Sequence, residues 1–122
     1  MIIDQKIKSE IDSMLMNYEK KYFKIARDLA LGITKQLPND ILAWKILGAT
    51  YSQIGQLKNS LRANQKVIEL TPQDAEAYSN LGVTFEMLER FDEAVENYKK
   101  AINLNSEYVM AYNNLGVVLQ KL

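Results

Sequence analysis

Glu89, Asp92, Glu93 and Glu96 form a dense group of chemically capable side chains in this 122-residue sequence. Carboxylates so placed could hold a hard cation or divide the work of an acid and a base. Their spacing has a simpler account. They surround the start of a helix, where the dipole favours anions, and Glu86–Arg90 and Glu96–Lys100 have the separation of helix-surface ion pairs. The chain has no His and no Cys, which removes Ser-His and Cys-His nucleophiles, thiol redox chemistry, structural zinc and imidazole-bound metals. No catalytic, cofactor-binding or metal-binding residue is therefore assigned, and the chain is expected not to be an enzyme.

Two amides, Asn80 and Asn114, stand 34 residues apart. A side-chain amide both donates to and accepts from a peptide backbone, so a column of them could form a short ladder. Ile46 occupies the preceding place in that column and interrupts it; the alternative is that the column serves local helix packing. Tyr18, Tyr22, Phe23, Tyr98 and Tyr108 could stack on bases only beside a basic groove. Fifteen Lys and Arg against fifteen Asp and Glu give no net charge, and neither residues 1–38, with seven basic and five acidic side chains, nor the remainder, with eight and ten, is a basic module. Nucleic acid is excluded as a partner, since such binders need concentrated cations.

The elements that must position these residues repeat with the same period. Trp44, Tyr78 and Tyr112 share a column, as do Leu47, Leu81 and Leu115, then Gly48, Gly82 and Gly116, then Tyr51, Phe85 and Leu119. A second set follows: Phe23, Leu57 and Phe91; Ala26, Ser60 and Ala94; Ile33, Val67 and Ala101; Pro38, Pro72 and Ser106. One aligned column could arise by chance, but eight in a single register require a repeating structural unit. Within a unit the apolar residues follow helical spacing, as in Trp44, Leu47 and Tyr51, then Leu57, Leu61 and Ile68. Each unit is thus predicted to be two short amphipathic helices. Gly55 suits the turn between them, and Leu88-Glu89-Arg90 must close the next turn without glycine. Asp40 and Asp74 follow Pro38 and Pro72 and can cap the following helices. Mid-helix glycine costs about 1 kcal/mol relative to alanine, so Gly48, Gly82 and Gly116 predict close approach of a neighbouring helix.

The columns Trp/Tyr, Leu, Gly, Tyr/Phe, Ala, Tyr, Ala and Pro at this period resemble the tetratricopeptide repeat. Tyr78, Leu81, Gly82, Phe85, Ala94, Tyr98 and Ala101 match it best. The resemblance implies an all-α fold, an α-solenoid of antiparallel helix pairs wound as a right-handed superhelix of about seven helices. One domain, 1–122, would hold a degenerate first unit or N-terminal cap at 4–38, repeats at 41–72 and 75–106, and the first helix of a further, incomplete repeat at 107–122. In the first helix of 4–20 the signature columns fall on Glu10, Ser13, Met14 and Asn17, so it is expected to act as a cap.

By the same resemblance the concave face is lined by the first helix of each unit. Leu42, Lys45, Ile46, Ala49, Ser52 and Gln53 would come from one, Glu76, Ser79, Asn80, Val83 and Glu86 from the next, and Met110, Asn113, Asn114, Val117 and Gln120 from the last. Lys45, Ala49, Ser52, Ser79, Asn80, Val83, Asn113, Asn114 and Val117 are the expected partner-binding residues. This lining suits an extended peptide or a helix of a protein partner. The family's carboxylate clamp for chaperone tails is not expected: Lys45 and Asn80 match it, but Ala49, Met110 and Asn114 stand where an amide and two cations are needed.

Leu115, Val118, Leu119 and Leu122 keep an apolar pattern to the end of the sequence, where a solvent-facing cap would be polar. They are expected to form an uncovered stripe, used for contact between copies or covered by a longer array. The expected function is that of a non-catalytic adaptor binding a protein partner. Self-assembly through the last helix, or a substrate-recruiting segment of a larger enzyme, are the alternatives. No apolar run is long enough to span a bilayer, and Met1–Lys6 turns polar too early for a secretion signal, so the expected compartment is the cytoplasm.

Overall fold

The computed structural model describes residues 5–122; Asp4, where the first helix was expected to begin, and the sequence start weighed as a secretion signal lie outside them. Among the described residues there are seven helices and no strand: α1 (Gln5–Glu19), α2 (Phe23–Gln36), α3 (Ile41–Gln53), α4 (Leu57–Leu70), α5 (Ala75–Met87), α6 (Phe91–Leu104) and α7 (Val109–Leu119). Each packs mainly on its neighbours in sequence, and α1, α3, α5 and α7 also touch in succession. The result is an α-solenoid of antiparallel helix pairs. None of these helices is long and apolar enough to cross a membrane.

Local chemistry sets the boundaries. Asp40 accepts from the Leu42 backbone N–H at 3.2 Å and Asp74 from that of Ala77 at 3.3 Å, capping α3 and α5. The turns inside the three pairs pass through one left-handed residue each: Lys21 (φ 65°), Gly55 (φ 82°) and Glu89 (φ 60°). Only the middle turn uses the residue that adopts this conformation without strain. Arg90 follows that left-handed turn, so it leaves the axis of α5. For this reason the expected Glu86–Arg90 pair is replaced by Arg90 with Glu93 at 2.6 Å and Glu86 with Lys121 at 3.0 Å. Lys100 lies over the Tyr78 ring, 5.9 Å from its centroid, rather than in the expected pair with Glu96.

Helix pairs lock through one recurring site. A Cβ added at Gly82 would lie 2.6 Å from the Tyr98 ring, and one at Gly48 would collide with the Asn64 side chain. The first unit inverts this arrangement. Met14 stands in the glycine column and Ala30 in the column of Asn64 and Tyr98, and both are fully buried in one core cluster with Ile33 and Leu47. Moving the bulk from one helix to the other conserves volume, which packed cores tolerate. The degenerate first helix is therefore an integral part of the core.

Candidate functional site

Alternate helices meet side by side, so α1, α3, α5 and α7 form one wall of the array. An open cleft of about 290 Å³ lies on it, lined by Tyr18 of α1, Ala49, Ser52 and Gln53 of α3, Asn80 and Val83 of α5, and Met110 of α7. Its floor is Gly48, Asn64 and Thr84. Sequence reasoning placed Ala49, Ser52, Gln53, Asn80, Val83 and Met110 on this face, and the structure brings those six together. It missed Tyr18, whose helix lacks the signature columns.

Beneath the cleft lies a buried polar cluster that the sequence reading also missed. Ser60 Oγ donates to the Gly48 carbonyl at 2.8 Å and meets Thr84 Oγ1 at 3.1 Å, while Asn64 Nδ2 donates to both hydroxyls at 3.4 Å. Thr84 Oγ1 also lies 3.1 Å from the Asn80 carbonyl, to which it can donate. These bonds tie α3, α4 and α5 together behind the groove. A signal was present: Ser60 and Asn64, one turn apart, occupy columns that hold Ala26 and Ala30 in the first unit. Buried polar groups are hydrogen-bonded, and two polar residues on a core stripe imply a network.

The remaining expected residues lie elsewhere. Lys45 is tied to Asp74 at 2.7 Å and Glu76 at 3.3 Å. Partial burial works against its charge, but the bond to Asp74 and the carboxylates of Glu76 and Asp74 hold its ammonium above the ordinary range. Ser79 is 2% exposed and faces the Tyr108 hydroxyl, and Ile46 is 7% exposed, so neither is at the surface as expected. Burial pushes the Tyr108 phenol up, with Glu76 and Asp74 adding to the effect against Ser79. Asn113 and Val117 are exposed on α7, and Asn114 is half-buried; none lines the cleft. Ser52 Oγ donates to the Met87 thioether at 3.2 Å.

The apolar stripe of α7 is split, which corrects the expectation that it is wholly uncovered. Val118 is fully buried and Leu115 packs with it against the cluster of Leu81, Phe85 and Tyr98, whereas Leu119 and Leu122 are 49% and 64% exposed. The helix turns one side to α5 and α6 and presents Tyr112, Gly116 and Leu119 on the other. Gly116 meets nothing within 4 Å, unlike its counterparts in α3 and α5.

Residues 48–89 and 87–122 match the TPR repeat family. The chain belongs to the tetratricopeptide repeat family. No curated protein matches it. Among solved structures, the TPR domain of Arabidopsis OM64 is 14% identical and superposes with a TM-score of 0.90, covering 97% of this chain and 98% of that one. The first TPR of Spaghetti (RPAP3), bound to the HSP90 peptide SRMEEVD, is 17% identical with a TM-score of 0.89, covering 98% and 95%. MamA is 28% identical with a TM-score of 0.86; the match covers 98% of this TPR chain and 65% of the MamA chain. At the first two identities the likeness is one of fold.

Proposed function

We propose that this TPR domain is a non-catalytic adaptor that holds an extended peptide or a helix of a partner protein in the cleft between α3 and α5. One observation carries the reading. Asn80 lines the open cleft, and among the described residues no hydrogen bond engages its side-chain amide, whereas Ser60, Asn64 and Thr84 beneath it are all partnered. A free amide beside Ala49, Val83 and Met110 supports recognition of a peptide backbone together with an apolar side chain. The peptide held by the Spaghetti domain supports a peptide as the ligand class. The acidic tail of that peptide is a poor candidate here, because Lys45 is already neutralised by two carboxylates and Asn114 stands where a clamp needs a cation.

Affinity capture with the intact chain tests this reading against the Asn80→Ala variant. A partner retained by the wild type and lost with the variant is the expected result. Equal retention of every partner by both would end the amide reading.

A second reading, self-assembly through α7, is favoured by the open notch at Gly116. Tyr112→Glu would abolish concentration-dependent association under that reading.

A further inference from the structure

The three turns inside the helix pairs lie along one edge of the array. Ile54 of the second turn borders Lys21–Ile25 of the first. Ser52, next to the second turn, touches Met87 next to the third, and Leu122 borders Glu89–Glu93 of the third.

The repeat supplies an internal comparison for this edge, because residues 34 apart occupy equivalent places. Tyr22 and Ile25 are 56% and 52% exposed. Their equivalents are Gln56 and Asn59 in the second turn and Arg90 and Glu93 in the third. Helix packing does not require a large apolar residue at these columns, so its presence in one unit marks a contact surface.

Charge changes in order along the same edge. The first turn carries Lys20, Lys21 and Lys24 against Glu19, and the second carries Lys58 alone. In the third, Arg90 and Glu93 neutralise each other, as do Lys121, which lies over the Phe91 ring, and Glu86, leaving Glu89 and Asp92. Among the described residues no ion pair engages Lys20, Lys21, Lys24, Glu89 or Asp92. An edge that runs from basic to acidic is complementary to itself when reversed.

We propose that this edge is the interface of a homodimer whose two-fold axis passes by the Gly55 turn, so that the first turn of each copy meets the third turn of the other. A two-fold contact is self-complementary by construction. Lys20 and Lys24 then face Glu89 and Asp92, and Tyr22 and Ile25 cover the exposed Leu122. A second copy satisfies both ends of the edge at once, whereas a ligand of uniform charge fits only one. The chain has no net charge, so the separation of charge along the edge, and not bulk attraction, sets the register. Asn80 and Val83 take no part, which keeps this interface independent of the peptide site.

Sedimentation equilibrium of the intact chain over a concentration series, at low and high salt, tests the proposal. A dimer that dissociates as salt rises is expected. Lys20→Glu with Lys24→Glu, and separately Glu89→Lys with Asp92→Lys, each weaken association at least about tenfold while leaving the circular dichroism unchanged. An equal mixture of the two variants regains the dimer, because every acidic end again faces a basic one. Tyr22→Gln with Ile25→Asn, which copies the second unit, weakens it without altering charge. A wild-type monomer at all concentrations in low salt, a dimer that survives both charge reversals, or a mixture that stays monomeric would each overturn the proposal. So would a monomer that sediments with phosphatidylserine vesicles through Lys20 and Lys24, which would assign the basic end to a lipid surface.

Discussion

Gly82 and Gly116 occupy one column of the repeat but answer to different neighbours. The Tyr98 ring leaves no room for a methyl group at Gly82, while nothing stands within 4 Å of the place a methyl would take at Gly116. Gly82→Ala is therefore expected to cost about 1–3 kcal/mol through overpacking, whereas Gly116→Ala stabilises α7 by up to about 1 kcal/mol through helix propensity. Denaturant unfolding of the two variants checks this, and effects of the same sign would contradict it. Tyr98 has a second role, donating its hydroxyl to Glu86 at 2.9 Å. Burial, then that bond and the Glu86 charge, raise the phenol above its ordinary 10.0. The unfolded phenol thus loses its proton first as pH rises, so this contribution to stability is whole below about pH 10 and shrinks above it. The melting temperature of the wild type should fall more steeply above about pH 10 than that of Tyr98→Phe; parallel curves would remove Tyr98 as the cause.

The turns and the first helix show what a pattern of residue types conveys about elements and what it leaves out. Both aspartate caps and the number of helices were legible, because capping and apolar periodicity are local properties. The packing of α1 was not. Met14 facing Ala30 preserves a volume shared between two helices, and no single column displays a shared volume. Six groove residues could be placed from the repeat register, but the burial of Ser79 and the commitment of Lys45 depend on side chains of the next unit. At the third turn, Glu89 holds a left-handed conformation that costs an ordinary residue about 1–2 kcal/mol. Glu89→Gly should raise stability by roughly 0.5–1 kcal/mol. A lowered melting temperature would show instead that the carboxylate has a stabilising contact.

At the scale of the whole molecule, stability passes between neighbours along the array. Among the described helices α7 packs only on α5 and α6, with Tyr112 and Leu119 about half exposed, whereas α3 to α6 are covered on both sides and three of them share the buried polar cluster. Amide hydrogen exchange is expected to be fastest in α7 and slowest in α4 and α5. Uniform protection would mean that the array opens as one cooperative block.

Met87 and Met110, one joined to Ser52 and the other at the cleft mouth, are 47% and 63% exposed. Thioethers so open to solvent are oxidised to sulfoxides, which are polar and chiral. Mild peroxide would turn Met110 at the cleft mouth polar and would alter the Met87 contact with Ser52, a cleft-lining residue. Capture of a peptide at the proposed site should then fall after peroxide and recover after methionine sulfoxide reductase, making the oxidation state of sulfur a reversible gate on that site. Undiminished capture by the oxidised protein would show that neither sulfur meets the partner.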